Sequence, residues 1–129
     1  MVKRIAKKVS REIKDALVQR GLKRLLNIKS VDEIQEIILF GSASSENFRE
    51  DSDIDFCVIV DDTCDLRSLK QEIVTMPRES GDLVPYDVLV FTRQSYLKKV
   101  AVGGVCQIID EEGETLFQRK NNGSQKTEV

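Results

Sequence analysis

Histidine is completely absent from this chain of 129 residues. Without an imidazole there is no histidine base and no Ser-His triad, and the usual zinc sites lose their nitrogen ligand. Any catalysis must therefore depend on carboxylates, hydroxyls, thiols, amines or a bound metal ion.

Long apolar runs and a disulfide framework are also missing. No stretch reaches the roughly 18 apolar residues of a membrane-spanning helix, and no apolar run follows the cationic N-terminus as in a signal peptide. The three cysteines, Cys57, Cys64 and Cys106, are odd in number and irregularly spaced, which indicates reduced thiols. Reduced thiols indicate the cytoplasm, and the missing apolar run argues against a membrane partner. The length of 129 residues predicts one domain, and 40% hydrophobic with 33% charged residues suits a globular fold.

The net charge is only −2, but the two signs are segregated along the chain. Residues 1–30 contain ten Lys or Arg against two Asp or Glu, and residues 31–129 carry the opposite excess. Such a basic segment either presents charge to an anionic partner or is a solvated helix face beside an acidic body. The sequence alone leaves both interpretations open.

Hydrophobic periodicity predicts a succession of helices and strands. Apolar residues recur every three to five positions over 3–27, which predicts a basic amphipathic helix that Gly21 weakens or divides. The other predicted elements are strand 31–40, a helical turn and loop at 42–50, strand 53–60, helix 65–76 capped by Asp65, a turn at 80–82, strand 83–91, helix 94–100 capped by Thr92, a last helix from 105, strand 115–117 and a frayed tail 121–129. The predicted fold class is therefore α/β, a small mixed sheet with helices packed on it and strand 53–60 at its centre.

Two aspartates at the start of a predicted strand form the most informative pattern. Asp53 and Asp55 are two residues apart, so their side chains point to the same side of the strand. Neighbouring carboxylates repel each other and need a cation between them. Mg²⁺ binds carboxylate oxygens and usually keeps substrate phosphates among its ligands. The pair therefore predicts a metal site for phosphate chemistry.

A Gly41-Ser42 turn precedes this pair and follows an apolar strand. Such a turn offers backbone N–H groups and a hydroxyl to phosphate oxygens, and glycine lets the backbone approach closely. The arrangement consists of Gly41-Ser42, ten further residues, and then Asp53 and Asp55 two positions apart. It resembles the signature of the nucleotidyltransferase superfamily that includes the DNA polymerase beta palm. The short length makes the chain similar to the minimal nucleotidyltransferases of bacteria and archaea.

The resemblance implies a fold and a division of the chain. The implied fold is that of the polymerase beta palm, and the resemblance extends loosely from Val31 to Phe117. The implied division is an N-terminal basic amphipathic helix at 1–30, a nucleotidyltransferase domain at 31–118 and a polar tail at 119–129.

A third carboxylate belongs to the superfamily pattern, and Asp87 is the matching residue. It lies in an apolar strand, where a lone charge is costly, although it could also be an exposed or paired residue at a strand edge. The resemblance implies that Asp53, Asp55 and Asp87 bind Mg²⁺ or Mn²⁺ and that Gly41 and Ser42 bind phosphate. The implied reaction transfers a nucleoside monophosphate, from ATP or another nucleoside triphosphate, to a hydroxyl that Asp87 helps to activate.

The chain departs from the family where arginines are expected. Minimal members often carry Arg directly after Gly-Ser, a second Arg two places on and then Gly, but here these positions are Ala43, Ser45 and Glu46. Only Arg49 is near enough in sequence to replace that charge. The departure leaves open an alternative, a catalytically weak or inactive member that acts as an antitoxin-like, protein-binding module.

Three partners besides the nucleotide are compatible with these features. Some minimal members resemble antitoxins that add AMP to small helical toxins, so a small helical partner protein is implied. A second copy of the chain is another candidate, because 129 residues leave no room for a separate domain that recognises base and acceptor. A nucleic-acid partner is less favoured, because the basic helix has no aromatic side chain on which bases could stack.

Overall fold

Four strands form a mixed sheet with the order β3-β2-β1-β4 in the computed structural model, which describes residues 7–76 and 86–120. The elements of this part of the chain are α1 (Arg11–Leu25), a 3-10 turn (Val31–Glu33), β1 (Ile34–Phe40), a second 3-10 turn (Gly41–Ser44), β2 (Ile54–Val60), α2 (Leu66–Val74), β3 (Tyr86–Thr92), α3 (Arg93–Val102), α4 (Val105–Glu112) and β4 (Glu114–Gln118). β1 pairs antiparallel with β2 and β4, whereas β2 and β3 are parallel. The predicted fold class is confirmed.

Strand β2 is buried on both of its faces. Its even-numbered residues belong to the larger core, together with Val18 and Leu25 of α1 and Leu69 of α2. Cys57 and Ile59 belong to a smaller core on the opposite face, which α3 and α4 cover. Burial on both faces explains the uninterrupted apolar sequence of this strand. The prediction that it is central to the sheet is therefore confirmed.

Helix α1 begins later than the predicted residue 3, since residues 7–9 are not helical. Ser10 is the N-cap, and its hydroxyl accepts a hydrogen bond from the Ile13 N–H at 3.3 Å. The preceding backbone instead pairs with a distant loop: the Val9 N–H donates to the Phe48 carbonyl and the Glu50 N–H donates to the Lys7 carbonyl. These tertiary hydrogen bonds and the serine cap prevail over the helical periodicity of the sequence.

Gly21 does not end or divide α1, which continues to Leu25. The glycine is buried where the helix crosses the sheet, and a Cβ atom there would lie 2.7 Å from the Tyr86 ring and 2.8 Å from the Phe56 ring. The Tyr86 hydroxyl donates to the Leu17 carbonyl at 2.9 Å, which fixes the ring beneath the helix. The prediction missed a packing requirement that only the neighbouring strands reveal.

Most other predicted elements are present with shifted ends. Asp65 and Thr92 cap α2 and α3 as predicted. The strand predicted from residue 31 begins at Ile34, after a 3-10 turn. The predicted turn at 80–82, the first residues of strand 83–91 and the tail 121–129 lie outside the described residues. In the part of the chain that the structure covers, no helix has both the length and the apolar character needed to cross a bilayer.

Candidate active site

The three candidate acids come from two neighbouring strands. Asp55 is the second residue of β2, and Asp53 directly precedes that strand. Asp87 is the second residue of β3, and the parallel register pairs it with Asp55. The fold therefore brings all three residues to the edge of the sheet where β2 and β3 begin.

Gly41 lies directly against Asp55. Because β1 is antiparallel to β2, with Phe40 opposite Asp55, the chain leaves β1 beside the acids. Gly41 has a φ of 74°, in the left-handed region that favours glycine. A Cβ atom at this position would overlap the Asp55 carboxylate at Oδ2. Glycine is thus required here both by the backbone conformation and by the space that the carboxylate occupies.

Asp55 has a pKa that is raised by this arrangement. It is half-buried, whereas Asp53 and Asp87 are exposed. Burial raises the pKa of Asp55, and the negative charges of Asp87 and then Asp53 raise this pKa further. Its ionised form is therefore disfavoured in the folded protein. A cation bound at this edge of the sheet would offset that penalty.

The chemistry of the donor set fits a hard divalent cation. Carboxylate oxygens are the ligands that Mg²⁺ and Mn²⁺ prefer, and the mutual repulsion at Asp55 calls for positive charge. As the side chains stand, however, no three acidic or thiol groups within residues 7–76 and 86–120 are arranged to bind one ion together. Asp53, Asp55 and Asp87 therefore remain predicted ligands, whose carboxylates would have to turn toward a shared point.

The Gly-Ser turn is closed by the hydroxyls that follow it. The Ser44 hydroxyl donates to the Gly41 carbonyl at 2.8 Å, and the Ser45 hydroxyl donates to the Ser42 carbonyl at 3.0 Å. Neither bond uses the Ser42 hydroxyl, and the Ser42 residue is half-exposed. The turn is therefore held in shape without these bonds occupying the hydroxyl that is predicted to bind phosphate.

Lys14 lies near this turn, although the sequence did not predict it there. Lys14 of α1 donates from Nζ to the Ser45 carbonyl at 3.3 Å, across 31 positions of sequence. Ser45 is one of the two positions where minimal family members carry arginine, and the other, Ala43, is fully buried. Arg49 is therefore not the only cation close to the turn. No sequence signal connects Lys14 with Ser45, because the packing of α1 alone brings them together.

Comparison with solved structures supports the fold. A Sulfolobus solfataricus protein with a provisional nucleotidyltransferase assignment has a TM-score of 0.56 at 13% identity, with 84% of each chain covered. A toxin-antitoxin structure with AMP-PNP has a TM-score of 0.52 at 24% identity, covering 83% of this chain and 78% of the other. Spectinomycin adenyltransferase AAD(9) from Enterococcus faecialis, with ATP and spectinomycin, has a TM-score of 0.51 at 14% identity, covering 88% of this chain and 58% of that enzyme.

The sequence itself identifies the family. No curated protein matches the chain. The family model described as polymerase beta, nucleotidyltransferase matches residues 22–122, which include the Gly-Ser turn and all three candidate acids. Since this match extends over most of the 129 residues, the chain belongs to the polymerase beta nucleotidyltransferase family.

Proposed function

We propose that this protein is an enzyme that transfers a nucleoside monophosphate, AMP from ATP, to a hydroxyl group with the aid of Mg²⁺ or Mn²⁺. The observation that carries the proposal is the position of Asp55. Asp87 is beside it in register, Asp53 is two residues away, and Gly41 contacts its carboxylate. An acidic cluster next to a phosphate-binding turn is what a metal-bound triphosphate requires.

The proposed reaction is an in-line displacement at the α-phosphorus. The acceptor hydroxyl oxygen forms a bond to this phosphorus, and the bond from phosphorus to the bridging oxygen of pyrophosphate breaks. Asp87 is exposed on the edge strand β3 and would accept the proton of the hydroxyl. The N–H groups of the turn at Gly41–Ser44 and the Ser42 hydroxyl would bind phosphate oxygens.

Asp53 and Asp55 would hold the metal ion, with Asp87 completing its set of carboxylates. A bound ion would neutralise charge on the triphosphate and on the departing pyrophosphate. The raised pKa of Asp55 supports this role, because a carboxylate that is costly to ionise alone gains most from a nearby cation.

The compared structures support ATP as the donor and leave two kinds of acceptor. One contains AMP-PNP in a toxin-antitoxin structure, and another contains ATP with the small molecule spectinomycin. We favour a hydroxyl on a partner protein, because the chain spans only 58% of the spectinomycin enzyme. We also propose a reducing, cytoplasmic location, since Cys57, Cys64 and Cys106 are all free thiols.

Calorimetric titration of ATP with Mg²⁺ tests the proposed site. We expect wild-type protein to bind the nucleotide only when Mg²⁺ is present and the Asp53→Asn/Asp55→Asn variant to lose that binding. Asp61→Asn/Asp62→Asn is the matched control, because it removes two negative charges at the opposite end of the same strand and keeps oxygen acceptors there. Binding by wild type and both variants alike would contradict the site.

The position of an isotope label within ATP then distinguishes nucleotidyl transfer from phosphoryl transfer. ATP labelled at the α-phosphate should leave its label on the acceptor, whereas ATP labelled at the γ-phosphate should not. The reverse pattern would indicate phosphoryl transfer and would contradict nucleotidyl transfer.

A second candidate function is that of an inactive, antitoxin-like binding module. The observation that favours it is an apolar surface on α3 and α4. Four large side chains there are 48–89% exposed, namely Leu97, Val102, Val105 and Ile108. Exposed apolar patches of this kind mark protein interaction surfaces. An amphipathic helix of a partner protein, with acidic residues facing the exposed Lys98 and Lys99, would suit this surface.

Two measurements separate this module from the enzyme and from a self-association surface. Sedimentation of the purified chain as a dimer that Val102→Glu dissociates would mean that a second copy covers the surface. A monomer is the expected result if the surface serves another protein. Metal-dependent transfer of AMP to any acceptor would contradict the inactive module.

A further inference from the structure

A cavity of about 690 Å³ lies between the start of α1 and the segment that follows the Gly-Ser turn. Lys8, Arg11 and Lys14 line one side, and residues 44–46 line the other. None of the three candidate acids lines this cavity. It is therefore a second feature next to the same turn, distinct from the acidic edge of the sheet.

Positive charge predominates around this cavity. Three cationic side chains face two carboxylates, those of Glu46 and Glu114. The first turn of α1 adds the positive end of a fifteen-residue helix, because Arg11 is its first residue. The Ser10 hydroxyl accepts the Ile13 N–H at this end. The cavity is thus suited to an anion with more than one negative charge.

Lys14 fixes part of this charge beside the turn. Its Nζ donates to the carbonyl of Ser45, the residue at whose position the minimal nucleotidyltransferases often carry arginine. The other arginine position is Ala43, which is fully buried in the larger core and cannot present a charge to solvent. The first turns of α1 therefore replace, from another part of the chain, a charge that the turn lacks.

We infer that this cavity binds the terminal phosphates of the nucleoside triphosphate and that Arg11 and Lys14 supply the positive charge. The inference rests on the proposed function, because it assigns one end of the same substrate. Ser44 both lines the cavity and closes the turn onto Gly41, which contacts Asp55. The four residues of the turn at Gly41–Ser44 thus lie between the acids and the cationic cavity.

The number of phosphates on the ligand provides the test. We would titrate AMP, ADP, ATP and tripolyphosphate, with Mg²⁺, into wild type and the Arg11→Gln/Lys14→Gln variant. Loss of charge-assisted contacts predicts that ATP and tripolyphosphate bind at least about tenfold more weakly to the variant, while AMP changes less than about twofold. Glutamine at position 14 keeps an N–H donor for the Ser45 carbonyl, which separates the charge from the loop contact.

Lys23→Gln/Lys70→Gln is the matched control, since it removes two exposed cations that do not line the cavity. Its nucleotide binding should equal that of wild type. Equal ATP affinity in the Arg11→Gln/Lys14→Gln variant would overturn the inference and leave the proposed function intact. Equal weakening of AMP and ATP would also overturn it, because such a result indicates general damage to the site.

Failure of the proposed function has a different signature. If wild type binds no Mg²⁺-ATP but binds tripolyphosphate without metal, and the Arg11→Gln/Lys14→Gln variant loses that binding, the cavity is an anion site and the nucleotidyltransferase proposal is contradicted. If wild type binds neither ATP nor tripolyphosphate, the inference about the cavity is overturned.

Discussion

The two sides of the turn at Gly41–Ser44 have opposite electrostatic character. On one side Gly41 contacts Asp55, whose pKa is raised by burial and by Asp87 and Asp53. On the other side Lys14 reaches the Ser45 carbonyl, and a cavity has more cations than carboxylates. A four-residue turn thus separates an excess of negative charge from an excess of positive charge. A metal-bound triphosphate, with a cation at one end and free anionic oxygens at the other, matches this division.

The positive side depends on where α1 begins. Ser10 ends an extended segment whose backbone pairs with the loop after the turn, and Arg11 starts the helix. A helix that continued back to residue 3 would not make these backbone hydrogen bonds to Phe48 and Glu50. The error in the predicted helix start is therefore relevant to the site, because Val9 and Phe48, which one of these hydrogen bonds joins, both line the cavity.

The largest effect should come from restoring the family arginine on the buried side of the turn. Ala43 is fully buried, so Ala43→Arg places a charge in the apolar core and should lower the free energy of unfolding by at least about 3 kcal/mol. Ser45→Arg adds the same side chain at a half-exposed position that lines the cavity, and it removes the hydroxyl that donates to the Ser42 carbonyl, so it should lower the free energy of unfolding by only about 1 kcal/mol. Urea unfolding of both variants measures the difference.

The affinity of the Ser45→Arg variant for nucleotides tests the same difference between the two sides of the turn. An arginine at position 45 adds positive charge to the cavity, so Ser45→Arg should bind ATP several-fold more tightly than wild type while AMP binding is unchanged. Equal destabilisation by the two arginines would show that the two sides of the turn do not differ in burial as described.

A smaller effect is expected from Gly41→Ala on the acidic side. Alanine must adopt a φ of 74° and its Cβ overlaps Asp55, so we expect a loss of roughly 1–3 kcal/mol in stability and at least about tenfold weaker Mg²⁺-ATP binding. Gly104→Ala is the matched control, because Gly104 has a φ of 87° but nothing within 4 Å of a Cβ. It should lose stability from backbone strain alone and bind ATP normally. Normal ATP binding by Gly41→Ala would contradict the close contact with Asp55.

Local sequence patterns were sufficient to locate Asp53, Asp55 and the Gly41-Ser42 turn near each other, and their roles in binding metal and phosphate stay predictions. The spacing of Asp53 and Asp55 predicts that they lie together where a strand begins, which is at Ile54, and the glycine–serine pair marks the turn that precedes them. The helix caps Asp65 and Thr92 were also predictable, because a cap is decided by the few residues around it. Each of these features depends on contacts within a short stretch of chain.

The cationic half could not be predicted because its contacts are distant in sequence. Lys14 and Ser45 are separated by 31 positions, and Gly21 is required by the Phe56 and Tyr86 rings that only folding brings under α1. The start of α1 is likewise decided by hydrogen bonds to a loop about forty residues away. Hydrophobic periodicity shows which face of a helix is apolar. It does not show which distant backbone groups form hydrogen bonds with the residues before the helix and so determine where the helix begins.

The smallest predicted effect concerns the stability cost of Asp55. The pKa of Asp55 is raised in the folded state, so its ionised carboxylate destabilises the fold. The free energy of unfolding therefore falls as the pH rises from the pKa of the unfolded carboxyl, about 3.9, through the pKa of the folded protein. The full penalty is present once the pH exceeds the folded pKa of Asp55, so Asp55→Asn should then raise the Tm by a few degrees, and it should abolish Mg²⁺-ATP binding. This gain in Tm should shrink toward zero as the pH falls below about 4. Thermal unfolding from pH 3 to 8 measures this gain, with the exposed Asp51→Asn as the control. A gain that does not depend on pH would show that the cost of ionising Asp55, through burial and through repulsion by Asp87 and Asp53, is not its cause.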